Sequence, residues 1–162
     1  MLKASIAAMY PLDLMQKAVK ELNKTNRYKI IFFGGGESEK KQLDELSKGF
    51  TNTLNLANKI TLQEELIIIS NLDLMLSMDS GNGHLAANYG IPVVTLWGVT
   101  HPFAGFYPFG QPLDYALLAD REKYPLIPTS VYGNKIPVGY EKVMETISPE
   151  SLVNKIQQIL ES

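Results

Sequence analysis

From Pro11 onward the apolar positions recur at helical spacing. Leu12, Met15, Ala18, Val19 and Leu22 lie three or four apart, while Lys17, Lys20, Glu21 and Lys24 fill the other face. Pro11 suits the first helical turn, where its missing N–H costs nothing, and the polar run from Asn23 to Asn26 ends the helix. Tyr28 to Phe33 is a β-branched and aromatic run that stops at Gly34, Gly35 and Gly36, the pattern of a buried strand entering a tight loop. A second helix is predicted over Glu37 to Lys48, with Leu43 and Leu46 inward and Gly49 just past its end. A weak strand over Thr53 to Leu56 follows, then Thr61 as N-cap of a helix over Leu62 to Ser70.

The second half continues the alternation. Asp73 to Met78 reads as a strand, Asp79 to Gly83 as a loop, His84 to Tyr89 as a short helix closed by Gly90, and Pro92 to Trp97 as a fully buried strand. Residues 98–112 hold three glycines, three prolines and four aromatics, a structured loop rather than a regular element. Tyr115 to Ala119 is a further strand, and residues 120–147 are irregular. Ser148, Pro149 and Glu150 then open a last helix as N-cap, first helical residue and dipole partner, with Leu152, Ile156, Ile159 and Leu160 as its buried face. Strands and helices alternating at these spacings require parallel crossovers, so the expected fold class is α/β: a Rossmann-like, doubly wound parallel sheet in one domain over residues 1–162. A strand at Lys3 to Ala8 would bring the sheet to six.

Composition narrows the chemistry. The 162 residues are 45% hydrophobic and 20% charged, and 15 basic against 17 acidic side chains leave a net charge of −2. That is a globular composition without the broad basic footprint of a nucleic-acid binder. The chain has no cysteine, which removes disulfides, thiolate metal sites and cysteine nucleophiles together. His84 and His101 stand too far apart for a helical metal pair, and no apolar run approaches a membrane span. No metal, no nucleic acid, no transmembrane segment and a cytoplasmic location are the expectations.

Ligands of open α/β sheets bind beyond the carboxyl ends of the strands, which points to Gly34–Glu37, Asp79–His84 and Trp97–Pro102. In Asp79-Ser80-Gly81-Asn82-Gly83-His84 the glycines allow close backbone approach, and the helix starting near Gly83 or His84 offers free N–H groups to an anion. Ser80 adds a hydroxyl donor, and Asp79 is an acceptor for sugar hydroxyls. The plainer alternative is that Asp79 or Ser80 caps the helix while the glycines make the turn. Gly34-Gly35-Gly36-Glu37 is either a nucleotide-binding turn or a tight strand-to-helix connection, and it is not GxGxxG. His84 either donates to a phosphate or is structural. Thr100 and His101 either frame a ring or phosphate or pack within their loop. Phe103, Phe106, Tyr107 and Phe109 either receive an apolar partner or fold over one another.

Residues 73–112 closely resemble the donor-binding region of the lipopolysaccharide heptosyltransferases, glycosyltransferase family 9. Members carry D-[ST]-G-x-x-H-L-A-A, then G-x-P-V-V-x-L-W/F-G-x-T with a proline after one more residue. Here these are Asp79 through Ala87, then Gly90-Ile91-Pro92 through Thr100 and Pro102. Weaker similarity includes Tyr10-Pro11, Phe33-Gly34-Gly35, Asn55-Leu56-Ala57 and Ile147-Ser148-Pro149-Glu150, so it covers nearly the whole chain.

The resemblance implies a GT-B architecture, of which this sequence is similar to the C-terminal, nucleotide-sugar-binding domain. The N-terminal domain of family members shapes the acceptor site and supplies the catalytic base. Members also carry a phosphate-binding lysine shortly before the Tyr/Trp-Pro pair, where this chain has Ala4 to Met9 with Lys3 nearby. The implied reaction is inverting transfer of heptose from an ADP-sugar to a lipopolysaccharide core acceptor, without a metal or other cofactor. Donor and phosphate contacts are then expected from Asp79, Ser80, Gly81, Asn82, Gly83, His84 and Thr100, with Gly34, Gly35, Gly36 and Glu37 as a nucleotide loop. The expected partners are the nucleotide-sugar donor and either a second copy of the chain or an acceptor domain. The expected place is the cytoplasm, peripheral at the inner membrane. The alternative is an inactive stand-alone nucleotide-sugar-binding module or interaction partner.

Overall fold

The computed structural model describes residues 10–162. Ten regular elements follow one another: α1 (Leu12–Lys24), β1 (Ile30–Phe32), α2 (Glu37–Ser47), β2 (Thr53–Asn55), α3 (Leu62–Ile69), β3 (Met75–Met78), α4 (Gly81–Asn88), β4 (Val93–Trp97), β5 (Ala116–Leu118) and α5 (Pro149–Leu160). The local signals act as their chemistry dictates. The Thr61 side chain accepts the Glu64 amide while the Glu64 carboxylate accepts the Thr61 amide, closing a capping box on α3. Ser148 Oγ accepts the Ser151 amide at 3.0 Å, with Pro149 as the first residue of α5. Pro11 sits one position earlier than expected: it flanks α1, and its carbonyl accepts the Met15 amide at 2.9 Å.

Every strand pair is parallel, which makes the fold α/β. β4 is the centre of a three-stranded sheet, β3-β4-β5, and all five of its residues are buried. Its side chains alternate between two layers. Val94 and Leu96 join Ala18 and Leu22 of α1 and Leu152, Val153 and Ile156 of α5. Val93 faces the other way, onto Ile69 of α3 and Ala86 and Ala87 of α4. Helices therefore cover both faces, as a doubly wound sheet requires.

Among the described residues the strands pair as β1-β2 and as β3-β4-β5, all of them parallel. The chain edges from Tyr28 to Phe33 and from Leu72 to Met78 border one apolar cavity, since only an edge, not a face, presents every residue of a strand in turn. The strand expected at Lys3–Ala8 lies outside the described residues.

Candidate functional site

The strand order reverses at this cavity: β1 leads away to β2 on one side, and β3 leads to β4 and β5 on the other. Such switch points form the ligand crevices of doubly wound folds. Phe33 and Glu39, which flank the first candidate segment, and Ser80 and Asn82 of the second line this cavity, whereas Gly34, Gly35, Gly36, Glu37, Asp79, Gly81, Gly83 and His84 are not part of its wall.

On the β3 side the structure corrects the expected loop. Asp79–Gly83 is not a loop, because α4 begins at Gly81 and takes Asn82 and Gly83 into its first turn. Neither Gly81 nor Gly83 has a positive φ. Gly83 is needed for proximity instead: a Cβ there would stand 2.9 Å from Ser77 Oγ and 3.1 Å from Ser77 Cβ, so only glycine lets α4 lie this close on β3. Gly81 faces open space.

Ser80 occupies the N-cap position with extended backbone, but its side chain does not cap. Its Oγ lies 2.9 Å from Ser77 Oγ, and Ser77 donates to its neighbour's carbonyl, Met78 O, at 2.7 Å. The first amides of α4 are thus left without a side-chain acceptor, at the positive end of the helix dipole. Asn82 is held sideways, its Nδ2 donating to Glu65 Oε1 of α3 at 3.0 Å. Asp79 keeps much of its surface exposed, yet the protein around its carboxyl partly desolvates it and pushes it above the ordinary value, while the His84 side chain pulls the other way.

The glycine run after β1 is built differently. The Gly35 amide donates to Glu39 Oε2 at 3.0 Å and the Gly36 amide to Asn58 Oδ1 at 3.2 Å. These N–H groups are already engaged, so what the loop presents is carboxylate, from Glu37 at the head of α2 and from Glu39. A Cβ on Gly34 would stand 2.9 Å from Glu39 Cδ, so this glycine also serves close approach. The crevice therefore offers amide donors at one wall and carboxylate acceptors at the other. That pairing suits a ligand with both an anionic group and hydroxyls.

Thr100 is placed elsewhere. It is buried at the end of β4, beneath the turn containing Gly133, and does not line the switch-point cavity. His101 is likewise buried and borders a second cavity. The aromatic loop divides: Tyr107 packs on Trp97 and Phe106 on Tyr132, whereas Phe103 and Phe109 are about four-fifths exposed. Ser77, Glu65, Glu39 and Asn58, which hold these loops in place, carry no motif of their own in the sequence. Among the described residues no group of three or more His, Asp or Glu side chains converges to hold a metal, and no helix is long and apolar enough to cross a membrane.

Comparison with known proteins identifies the family and agrees with the fold. The model of glycosyltransferase family 9 (heptosyltransferase) matches residues 6–126. The chain is 25% identical over 163 residues to lipooligosaccharide heptosyltransferase 2 of Campylobacter jejuni, covering 98% of this chain and 49% of the relative. Among solved structures, a glycosyltransferase family 9 protein of Veillonella parvula superposes with a TM-score of 0.74 at 21% identity, covering all of this chain and 45% of that one. The E. coli heptosyltransferase WaaC with ADP superposes with a TM-score of 0.70 at 18% identity, covering 98% and 42%. The chain spans about half the length of the curated relatives it matches.

Proposed function

The chain belongs to glycosyltransferase family 9, and from that membership we propose that it is the nucleotide-sugar-binding half of a heptosyltransferase, taking an ADP-sugar at the switch-point crevice. The observation that carries this reading is the uncapped start of α4: Ser80 is at the N-cap but turned to Ser77, so the amides of the first turn are free for a diphosphate. Asp79 beside them accepts from sugar hydroxyls, and Glu39, which lines the crevice from the β1 side, accepts from the nucleoside together with Glu37 in the first turn of α2.

In the reaction, an acceptor hydroxyl attacks the anomeric carbon while the bond from that carbon to the diphosphate oxygen breaks, inverting the centre. Charge grows on the departing diphosphate, and fixed amide donors at a helix N-terminus stabilise it more in the transition state than in the ground state. Asp79 is assigned to the sugar, not to proton removal. The general base and the lipopolysaccharide core acceptor site are assigned to a second domain, joined or separate.

The test is calorimetric titration with ADP-heptose, ADP and UDP-glucose. Saturable binding of the adenine nucleotides, weakened in Asp79→Ala, supports the reading. Absence of binding by any nucleotide, in a chain shown to be folded by circular dichroism, contradicts it. An alternative reading, a nucleotide-sugar-binding module without transferase activity, predicts the same binding but no transfer when the second domain is supplied.

A further inference from the structure

A second cavity, of about 400 Å³, opens past the ends of β4 and β5, away from the residues assigned to the donor. It is bordered by His101, Phe103, Ala104, Arg121, Pro128 and Ser130, with Val131 at its rim. His101 is buried, and its Nδ1 accepts the Phe103 amide at 3.3 Å. An imidazole that accepts at Nδ1 carries its proton on Nε2, and that N–H has no protein partner among the described residues. Burial and the nearby Arg121 guanidinium both hold the ring below its ordinary pKa, which keeps it a neutral donor near pH 7.

Arg121 forms no ion pair among the described residues. The adjacent carboxylate, Asp120, accepts the amides of Glu122 and Lys123 on Oδ1 at 2.9 and 3.1 Å and does not line the cavity. Ser130 donates its own proton to Asn134 Oδ1 and so serves as wall rather than donor. The polar end of the cavity is therefore donor-rich and unneutralised. The mouth is apolar, with Phe103 79% and Val131 53% exposed.

We propose that this cavity is a second binding site, for the oxyanion of a small molecule with an apolar or ring-shaped body: the phosphate or carboxylate sits between His101 Nε2–H and the Arg121 guanidinium, and the body lies against Phe103 and Val131. Two donors of this kind, one of them able to bind two oxygens at once, match a planar or tetrahedral oxyanion. The cavity volume falls in the range of small-molecule pockets. The proposal stands independently of the donor assignment, since none of its residues lines the switch-point crevice.

The chain has only two histidines, so each ring can be followed by nitrogen-edited NMR. Phenyl phosphate, benzoate and inorganic phosphate are titrated into the full chain, with potassium chloride as the ionic-strength control. The expected result is a saturable shift of the His101 ring, tighter for phenyl phosphate than for inorganic phosphate, and absent with chloride. Comparison of phenyl phosphate with benzoate identifies which oxyanion the site prefers. Arg121→Gln, an exposed position, is expected to weaken the His101 response about tenfold or more, the loss of a charge-assisted contact, while leaving any response at His84 unchanged. Phe103→Ala is expected to weaken phenyl phosphate and spare inorganic phosphate. No saturable shift at His101, a shift reproduced by chloride, or an unchanged midpoint in Arg121→Gln overturns the proposal. Because the readout is at His101 rather than at the crevice, its failure is distinguishable from failure to bind ADP.

Discussion

Replacing Gly83 with alanine tests how closely α4 is held against the sheet. The added methyl carbon would stand 2.9 Å from Ser77 Oγ, 3.1 Å from Ser77 Cβ and 3.5 Å from Val93 Cγ1. Two of these contacts are closer than carbon tolerates. Ser77 is buried on β3, and its hydroxyl is tied to Met78 O and Ser80 Oγ, so it has nowhere to turn without losing those bonds. Either α4 lifts or Ser77 rotates. Overpacking of this kind costs about 1–3 kcal/mol, and the better helix propensity of alanine returns about 0.5–1 kcal/mol. The net loss is centred on about 1 kcal/mol, or a fall of roughly 2–4 °C in Tm for a chain of this size. Urea unfolding followed by circular dichroism measures it. Gly81→Ala is the control: the same substitution two residues earlier, in open space, is expected to be neutral or stabilising. A Gly83→Ala protein as stable as the parent would refute the close helix–strand contact, and with it the reason for a glycine at this position.

Further expectations follow from the same contacts. Ser148→Ala removes the cap on the Ser151 amide and is expected to cost about 0.5–2 kcal/mol by urea unfolding, whereas Ser80→Ala, whose side chain caps nothing, is expected to cost α4 no capping energy while weakening donor binding in calorimetry. Asp79→Asn removes a carboxylate whose ionisation burial disfavours, so it is expected to keep or raise stability at pH 7 while weakening nucleotide-sugar binding. The Tyr10 phenol donates to Ile147 O at 2.7 Å, and burial raises its pKa to about 12. Its protonated form is favoured by folding, so the stability it confers is complete below pH 10 and is lost as pH rises from there towards about 12. Carbon-detected NMR of the tyrosine rings and unfolding at pH 9 and 11 check this, and Tyr10→Phe is expected to reduce the alkaline pH dependence, leaving the part due to Tyr107, whose pKa burial also raises.

Much of this fold is legible in the sequence because its signals are local. Ser148-Pro149 and Thr61 with Glu64 name their helix starts by side-chain chemistry, and the run Val93–Trp97, apolar but for Thr95, reads as a strand covered on both faces. The start of α4 was not legible. Gly81-Asn82-Gly83 carries the residue types of a turn, and only the distance from Gly83 to Ser77 shows that the glycines are there for packing, not for unusual backbone angles. The same holds for Gly35 and Gly36: a glycine-rich loop suggests free amides, and only the contacts with Glu39 and Asn58 reveal that they are engaged. The meeting of His101 and Arg121, twenty residues apart, at one cavity is a long-range outcome that no local pattern encodes.

The central claim is that the uncapped first turn of α4 grips the diphosphate of the donor. Its most direct test is a nitrogen-15 NMR titration of the chain with ADP. The account predicts saturable shifts that are largest at the Gly81, Asn82 and Gly83 amides, and larger than those produced by adenosine. Binding of ADP that leaves these three amides unmoved, or no binding at all, would contradict it.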